Sequence, residues 1–317
     1  MPARQIAFGL ALVALAALGP LVGSQYHQAF LLQLFMMVAL AQSWNLISGM
    51  TGYVSFGHAA FFGVGAYAGT LFIQSGFPWW LAILNGSLIA LALSVPLGFL
   101  TLRLRGAYFA VAMLGLNEVA RIVATLWVSL TNGGSGITLQ PAILPPLTVN
   151  YYLMLALAIV ATIIVARVYH SRFGLELRAI REDEGAAEMI GVNTTRGKLT
   201  AFVLSALIPG AAGTVNVMYT SYINPSSAFD PSLNIQMIVM AMFGGSGTVW
   251  GPVLGASIVM GLREMLWAQY PALHLMFLGA MLLAVVLFLP GGIISLFTRK
   301  KVVRPEVMST GDGERRG

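Results

Sequence analysis

The sequence contains no cysteine and few charged residues. Cysteine is absent from all 317 residues, which excludes disulfide bonds, thiol nucleophiles and cysteine metal sites. Only 9% of the residues are charged and 58% are hydrophobic, whereas an average soluble protein is roughly 25% charged and 45–50% apolar. So few charges cannot cover the surface of a soluble chain of this length. The composition therefore predicts an integral membrane protein.

Long apolar runs recur along the chain. A helix needs about 20 apolar residues to cross about 30 Å of hydrocarbon. Ten runs approach or reach this length: 5–22, 28–48, 54–74, 79–102, 107–129, 151–169, 199–219, 232–244, 249–267 and 272–290. The third is rich in glycine, and the eighth is short enough to predict a broken or partly re-entrant helix. The pattern predicts an all-α polytopic membrane protein with about ten transmembrane helices, packed closely through some of its 35 glycines.

Lysine and arginine mark the predicted cytoplasmic side. The markers are Arg4, Arg103 and Arg105, the basic residues of the segment 170–198 and those of the tail 299–317. The predicted outer segments, which contain no lysine or arginine, are 23–27, 75–78, 130–150, 220–231 and 268–271. Ten spans with both termini in the cytoplasm satisfy all of these markers. The first span also has the pattern of a short signal peptide, but only its retention agrees with this orientation.

The basic segments at the ends of apolar runs do not form one continuous face. This distribution is typical of a membrane protein and argues against nucleic acid as a partner despite the net charge of +6. The tail 299–317 lacks apolar periodicity and is predicted to be disordered. Its basic residues can hold anionic membrane lipid, although a plain orientation anchor is the favoured interpretation.

One segment between the sixth and seventh predicted spans is strongly polar. Residues 170–198 contain five of the 11 acidic residues, and their length suits two short helices. The first helix would bury Leu175, Leu177 and Ile180, and the second would bury Ala186, Ala187, Met189 and Ile190. Gly191 is placed to end the second helix, and Thr194 or Thr195 to begin the next span.

This polar segment has two interpretations. It can be an interfacial helix that rests on lipid, or a docking element for a protein partner. A lipid-bound helix is usually basic, whereas this stretch has an acidic cluster at 182–184. Such a cluster suits a partner with a basic groove, so docking is favoured.

Several segments together resemble one known protein family: Leu46–Gly52 with Ser55–Ala59, Arg105–Ala110, Thr131–Gly136, Arg172–Glu184, and Phe243–Gly245 with Gly251 and Pro252. The resemblance covers roughly residues 30–295. The family is that of the branched-chain amino-acid ABC permeases, and the chain resembles its M-type more than its H-type. A general ABC permease motif, Glu-Ala-Ala followed after three residues by Gly, matches in part at Gly185-Ala186-Ala187 and Gly191, with Glu184 just before it.

The resemblance implies a subunit of an ATP-driven importer in the bacterial inner membrane. Residues 1–298 would form the permease domain, whose segment 170–198 couples transport to ATP hydrolysis. The coupling residues it implies are Arg181, Glu182, Asp183, Glu184, Gly185, Ala186, Ala187 and Gly191. The implied partners are an H-type permease, two cytoplasmic ATPases that hold ATP-Mg, and a periplasmic binding protein that delivers substrate. Branched-chain amino acids are the expected cargo, with urea or another small amide or acid as the alternative.

Two glycine-rich stretches are candidates for a nucleotide-binding loop in this chain. Neither Gly133–Gly136 nor Gly244–Gly247 is followed by the Lys-Ser/Thr of a phosphate-binding loop. We therefore expect turns or helix breaks there and no ATPase site in this chain. The four histidines are scattered, so we expect neither a metal site nor a membrane enzyme.

A few polar residues fall inside predicted spans. Glu118 and Arg121 are spaced to form an ion pair, which reduces the cost of charge in lipid. His58, Asn117, Glu118 and Arg121 are expected to line a translocation path or a helix interface, and Asn45, Asn117 and Asn216 to bridge helices. Arg263 and Glu264 are adjacent and point in different directions, and they are expected to be interface or helix-packing residues. An ion-coupled secondary transporter is the alternative function. Such a transporter needs a relay of carboxylate or histidine side chains, and Glu118 and His58 would be a minimal one. The loops 130–150 and 220–231 either dock a binding protein or only connect spans.

Overall fold

The computed structural model describes residue 16 and residues 19–22, 24–269, 279 and 292–297. The predicted first span, 5–22, lies largely outside these residues, and the predicted tenth span, 272–290, lies outside them except for residue 279. The predicted disordered tail, 299–317, also lies outside the described residues. The number of spans and the location of the termini therefore stay predictions.

The described chain is almost entirely helical. The main helices are α1 Gln25–Trp44, α2 His58–Gln74, α3 Trp79–Thr101, α4 Ala107–Leu126, α5 Leu147–Tyr169, α6 Arg172–Glu182, α7 Glu184–Met189, α8 Thr194–Thr220, α9 Pro231–Gly244 and α10 Gly251–Gln269. A π-helix, Asn45–Gly49, extends α1. Shorter turns are helical at Gly19–Val22, Val128–Thr131, Pro225–Ala228 and Gly292–Phe297 and form 3-10 helices at Gly133–Ser135 and Pro141–Ile143. Two short strands, β1 Ile137–Thr138 and β2 Tyr222–Ile223, pair antiparallel.

The structure has a helix at each of the predicted second to ninth spans, in the predicted order. Within the described residues, five are long and apolar enough to cross a membrane: Gln25–Gly49, α3, α4, α5 and α8. The chain is therefore a polytopic, multi-pass membrane protein. The third predicted span starts later than expected, at His58, because the preceding residues 52–57 are not helical. The eighth is short as predicted, since the 14 residues of α9 extend only about 21 Å.

Glycines let three helices approach closely in the core. Gly65 of α2 lies against the backbone of Gly210 in α8, and Gly86 of α3 packs beside both. A Cβ atom at Gly210 would lie 2.6 Å from the Cβ atom of Ala90, which leaves no room for a side chain. Thr214 Oγ1 also donates a hydrogen bond of 2.9 Å to the Gly65 carbonyl. The predicted role of glycine in close packing is thus confirmed here.

The π-helix joins α1 to the loop between α9 and α10. Asn45 Nδ2 donates to the carbonyl of Thr248 at 2.9 Å, and Asn45 Oδ1 accepts from the amide of Gly247 at 2.7 Å. Asn45 therefore links the π-helix to this loop, whereas the sequence predicts a bridge between helices. The glycine-rich stretch after α9 is a turn, with positive φ at Gly245 and Gly247, which agrees with the prediction.

Charged residues of α10 take part in helix packing. The hydroxyl of Tyr26 in α1 donates to Glu264, and Arg263 Nη1 donates to Gln236 Oε1 of α9 at 3.1 Å. The two adjacent side chains therefore reach different neighbouring helices. This arrangement confirms their predicted packing role.

Two loops at one end of the bundle are tied together. Ile137 pairs with Ile223 in the ladder of β1 and β2, and the Tyr222 hydroxyl donates to the carbonyl of Ser135 at 3.0 Å. Asp230, the single charged residue of these loops, accepts from the Ser232 amide and begins α9. The predicted outer loops 130–150 and 220–231 thus form one ordered, nearly uncharged surface.

The glycine contacts yield a prediction about stability. Gly65→Val should prevent stable folding, because the added side chain would displace the α8 backbone and overpacking of this kind costs about 3 kcal/mol or more. Thermal unfolding of the detergent-purified chain measures the effect. Gly115→Val is the matched control, since a Cβ atom at this helical glycine meets nothing within 4 Å. Equal stability of the two variants would contradict the close-packing account.

Candidate functional site

The polar segment forms two short helices, as predicted, and side-chain caps define both. Ser171 Oγ accepts from the Gly174 amide at 3.1 Å and begins α6. Asp183, in an extended conformation between the helices, accepts from the Ala186 amide at 2.8 Å and begins α7. Gly191 follows α7 with a φ of +89°, a conformation that favours glycine. These caps hold α6 and α7 as separate helices joined by a sharp bend.

The start of α8 differs from the prediction. The sequence pattern favoured Thr194 or Thr195 as the N-cap, but the cap is Asn193, whose Oδ1 accepts from the Arg196 amide at 3.0 Å. Thr194 already belongs to the helix and donates from Oγ1 to Glu188 Oε1 at 2.6 Å. The threonine that looked like a cap therefore links α8 back to α7.

The buried face of the segment is smaller than predicted. Leu177, Ile180 and Ala187 are buried against the bundle. By contrast, Leu175 is 61% exposed, Met189 is 90% exposed and Ile190 is 76% exposed. Ala186 is exposed as well, so the prediction that these four residues pack inward was wrong. Met189 is the last residue of α7 and Ile190 begins the turn after it, and both side chains point outward. The segment consequently presents an apolar tip to its surroundings.

Glu184, the first residue of α7, anchors the segment to the bundle. Lys198 Nζ of α8 donates to Glu184 Oε1 at 2.5 Å, and the Tyr53 hydroxyl donates to Glu184 Oε2 at 2.5 Å. Lys198 Nζ also lies 3.1 Å from the Tyr53 hydroxyl and 3.3 Å from the carbonyl of Leu102. Only 5% of the Lys198 side chain and 13% of the Glu184 side chain are exposed. We call Tyr53, Glu184 and Lys198 the anchor cluster.

Electrostatics in the anchor cluster keep its carboxylate ionised. Burial alone would raise the pKa of Glu184, but hydrogen bonds from Lys198 and Tyr53 and the nearby charges of Lys198 and Arg105 outweigh it and lower the pKa. Burial and the hydrogen bond to Glu184 raise the pKa of Tyr53, so its hydroxyl stays protonated and can donate. A buried lysine near a helix N-terminus is unfavourable without such a carboxylate. The three groups therefore depend on one another.

Arg181 makes the second attachment of the segment. Its Nη1 donates to the carbonyl of Gly49, the last residue of the π-helix, at 2.6 Å. The guanidinium also lies against Gly247, where a Cβ atom would collide with it. Because Asn45 joins the π-helix to Gly247, Arg181 contacts a turn that is already fixed from two sides. The end of α6 is thus held to α1 and to the loop before α10.

The predicted coupling residues fall into two groups. Arg181, Glu184 and Ala187 contact the bundle, the first two as attachments and the third as a buried residue, while Asp183 is exposed and caps α7. Glu182, Gly185, Ala186 and Gly191 are exposed. The segment therefore has an inner face that holds it in place and an outer face open to a partner.

The second set of predicted residues does not form one cluster. His58 is fully buried, with Nδ1 3.1 Å from Ser55 Oγ, and buried Asn117 donates from Nδ2 to the carbonyl of Phe229 at 2.9 Å. Glu118 and Arg121 pair as predicted, with Arg121 Nε 2.9 Å from Glu118 Oε2, and their side chains are 43% and 38% exposed. Among the described residues, neither His58 nor Asn117 bonds to this ion pair.

Lys198 and Tyr53 are central to the site, yet the sequence suggested neither as a partner for Glu184. In the sequence, Lys198 is one of the basic residues that mark the membrane orientation. Its position near the start of a long helix is a usable signal, because a cation there needs a compensating anion. Tyr53 offers no such signal, since its partner lies 131 residues away.

The side chains that could bind a metal ion are dispersed in the described part of the chain. No group of three or more His, Asp or Glu side chains there could hold an ion.

Comparisons with known proteins place these features in a family. The family model of the branched-chain amino acid transport system permease component matches residues 27–286. The chain is 25% identical to the high-affinity branched-chain amino acid transport system permease protein LivM of Salmonella typhimurium, over 92% of this chain and 76% of that protein. It is 26% identical to LivM of Escherichia coli with the same coverage.

The relatives also include the second type of permease. LivH of Escherichia coli is 25% identical over 90% of this chain and 99% of that protein. No solved structure matches this chain. The family model spans well over half of the sequence, and the LivM proteins align over nearly all of it. This chain therefore belongs to the branched-chain amino acid ABC transporter permease family, and within it to the M-type.

Proposed function

We propose that this chain is one of two unlike permease subunits of an ATP-driven importer of branched-chain amino acids in the bacterial inner membrane. Its relatives are LivM and LivH permeases of such amino acids, which supports this substrate class and an H-type partner. A periplasmic binding protein delivers the substrate, and two cytoplasmic ATPases hydrolyse ATP. A related small amide or acid is the alternative cargo.

The observation that carries this proposal is the construction of the segment Arg172–Met189. Its inner face is fixed to α1 and α8 through Arg181 and Glu184, and its outer tip exposes Met189 and Ile190. Exposed apolar side chains on a charged segment favour a protein partner over water. A rigid attachment passes force from that partner to the membrane helices. The segment thus serves as the coupling element between the ATPases and the permease.

The face of α4 that carries Glu118 and Arg121 supports a second permease. Exposed apolar residues, among them Val111, Val119 and Ile122, surround this ion pair. Charge that faces lipid near the middle of a span costs about 2.5–3.5 kcal/mol per residue on insertion scales. The exposed face of α3 contains Leu84, Leu88 and Phe99 and no charged residue. We infer that α4 meets the other permease or the path between the two, whereas α3 faces lipid.

The apolar tip yields the first test of coupling. Met189→Asp should abolish substrate-stimulated ATP hydrolysis and weaken co-purification of the ATPases, because a charge replaces the apolar contact. Met189→Leu is the control, since it retains apolar volume and should retain stimulation. Both variants should insert normally, because Met189 is 90% exposed and makes little contact within the chain. Full stimulation in Met189→Asp would contradict the docking of this tip.

The anchor cluster yields a double-mutant cycle. Lys198→Met and Glu184→Gln should each destabilise the protein by about 2–5 kcal/mol, because each leaves a buried group without its partner. The double variant should be less destabilised than the sum of the two, and thermal unfolding in detergent measures all three. If the losses are additive, the two residues do not interact. The same variants in the assembled importer should hydrolyse ATP with less transport per ATP, since a loosened segment transmits less force.

The two membrane faces yield a cross-linking test. A photoreactive benzoylphenylalanine at position 119 of α4 should form an adduct with the second permease, because the residue lies beside the ion pair. The same amino acid at position 88 of α3, where Leu88 is about as exposed as Val119, should form none. Adducts are detected by denaturing electrophoresis and mass spectrometry of the assembled importer. An adduct at 88 and none at 119 would reverse the assignment of the faces.

A further inference from the structure

A cleft opens where the loop between α3 and α4 meets α7 and the start of α8. Its volume is about 360 Å³, and its lining includes Phe99, Arg103, Arg105, Glu188 and Thr195. The loop directly follows the end of α3 at Thr101, so the cleft lies where a membrane helix leaves the hydrocarbon. Lipid headgroups occupy this level of a bilayer. The cleft is distinct from the apolar tip at Met189 and Ile190.

Two guanidinium groups at the cleft have unused hydrogen-bond donors. Arg103 is exposed and makes no hydrogen bond or ion pair with any described residue. Arg105 comes no closer to Glu184 than 3.7 Å, and 70% of its side chain is exposed. Lys198, the third cation of the lining, is already bound to Glu184 and Tyr53. Arg103 and Arg105 therefore offer planar donors of the kind that bind a phosphate group.

The cleft also offers a negative group. Glu188 is exposed in the lining, and its Oε1 accepts from Thr194 Oγ1. Its Oε2 has no partner within the described residues. A ligand with only negative charge would be repelled by this carboxylate, whereas a ligand with a phosphate and a primary ammonium group satisfies both signs. Glu184 cannot serve this role, since both of its oxygens already accept hydrogen bonds.

An apolar surface continues from the cleft toward the membrane. Phe99 lines the cleft and is 51% exposed, and its neighbours Leu100 and Leu104 are 69% and 40% exposed. A small soluble molecule would gain nothing from this surface. A lipid, by contrast, can lay an acyl chain along it while its headgroup enters the cleft. The surface therefore favours a membrane lipid over a free phosphate compound.

We propose that this cleft binds the headgroup of a phosphoethanolamine lipid, with the phosphate on Arg103 and Arg105 and the ammonium on Glu188. The bound lipid lies beside α7 and steadies the loop against the segment that carries the anchor cluster. This site depends on the membrane location of the chain and not on which solute the importer carries. A failure of the lipid assignment therefore leaves the proposed transport function intact, and the reverse also holds.

Native mass spectrometry of the assembled importer tests the proposal. The complex is extracted from vesicles that contain equal amounts of phosphatidylethanolamine, phosphatidylglycerol and phosphatidylcholine. The wild type should retain the ethanolamine lipid about fivefold over each of the others, because only this headgroup donates hydrogen bonds from a cation. Equal retention of all three lipids, or of none, would overturn the assignment. Retention of the lipid by the permease pair alone but not by the assembled importer would also overturn it, since the ATPases would then cover the cleft.

Two substitutions separate the two halves of the site. Arg103→Gln should reduce retention of every phospholipid at this site, and Glu188→Gln should remove the preference for ethanolamine over glycerol headgroups. The amide of Glu188→Gln can still accept from Thr194, so the fold should be unaffected. Arg196→Gln and Glu176→Gln are matched controls, because both residues are exposed outside the cleft and should not change retention. An unchanged preference in Glu188→Gln would exclude the ammonium contact.

Discussion

The ion pair between Lys198 and Glu184 fixes the position of the two short helices that interrupt the membrane spans. Lys198 emerges from α8 into a site where only 5% of its side chain reaches solvent. A buried cation is stable only with a nearby anion and further hydrogen bonds. Glu184, the Tyr53 hydroxyl and the Leu102 carbonyl supply them. Because these groups come from four separate parts of the chain, satisfying one lysine brings α7, α8 and two loops together.

The same end of the bundle depends on a departure from regular helix. The π-helix at the end of α1 supplies the Gly49 carbonyl to Arg181 and places Asn45 opposite the glycine turn of Gly247. π-Helical turns occur often at functional sites, because the extra residue redirects side chains and frees carbonyls. Here the freed groups bind Arg181 on one side and the loop before α10 on the other. Movement of α6 therefore cannot occur without strain on both α1 and this loop.

Much of the fold could be predicted from the sequence, because the hydropathy of a segment indicates directly whether it lies in lipid or in water. The order of the helices, the short α9 and the two helices of the polar segment follow from apolar runs and their interruptions. The orientation of Met189 and Ile190 could not be predicted, because a six-residue helix has too few turns to show which face is buried. The partner of Lys198 could not be predicted either, since Glu184 and Lys198 are 14 residues apart and meet through the turn at Gly191. Distant contacts such as Arg181 with Gly49 leave no periodic signal at all.

The partial match to the general ABC permease motif has a simple geometric explanation. The motif places its glutamate where this chain has Gly185, whereas the carboxylate here stands one residue earlier. One residue turns a helix by about 100°, so the shift moves the carboxylate from the outer face to the inner face of α7. Gly185 is exposed, and Glu184 reaches Lys198 within the bundle. The sequence change therefore exchanges an outward acidic group for an internal anchor, and it leaves Met189 and Ile190 as the apolar side chains that this end of the segment exposes.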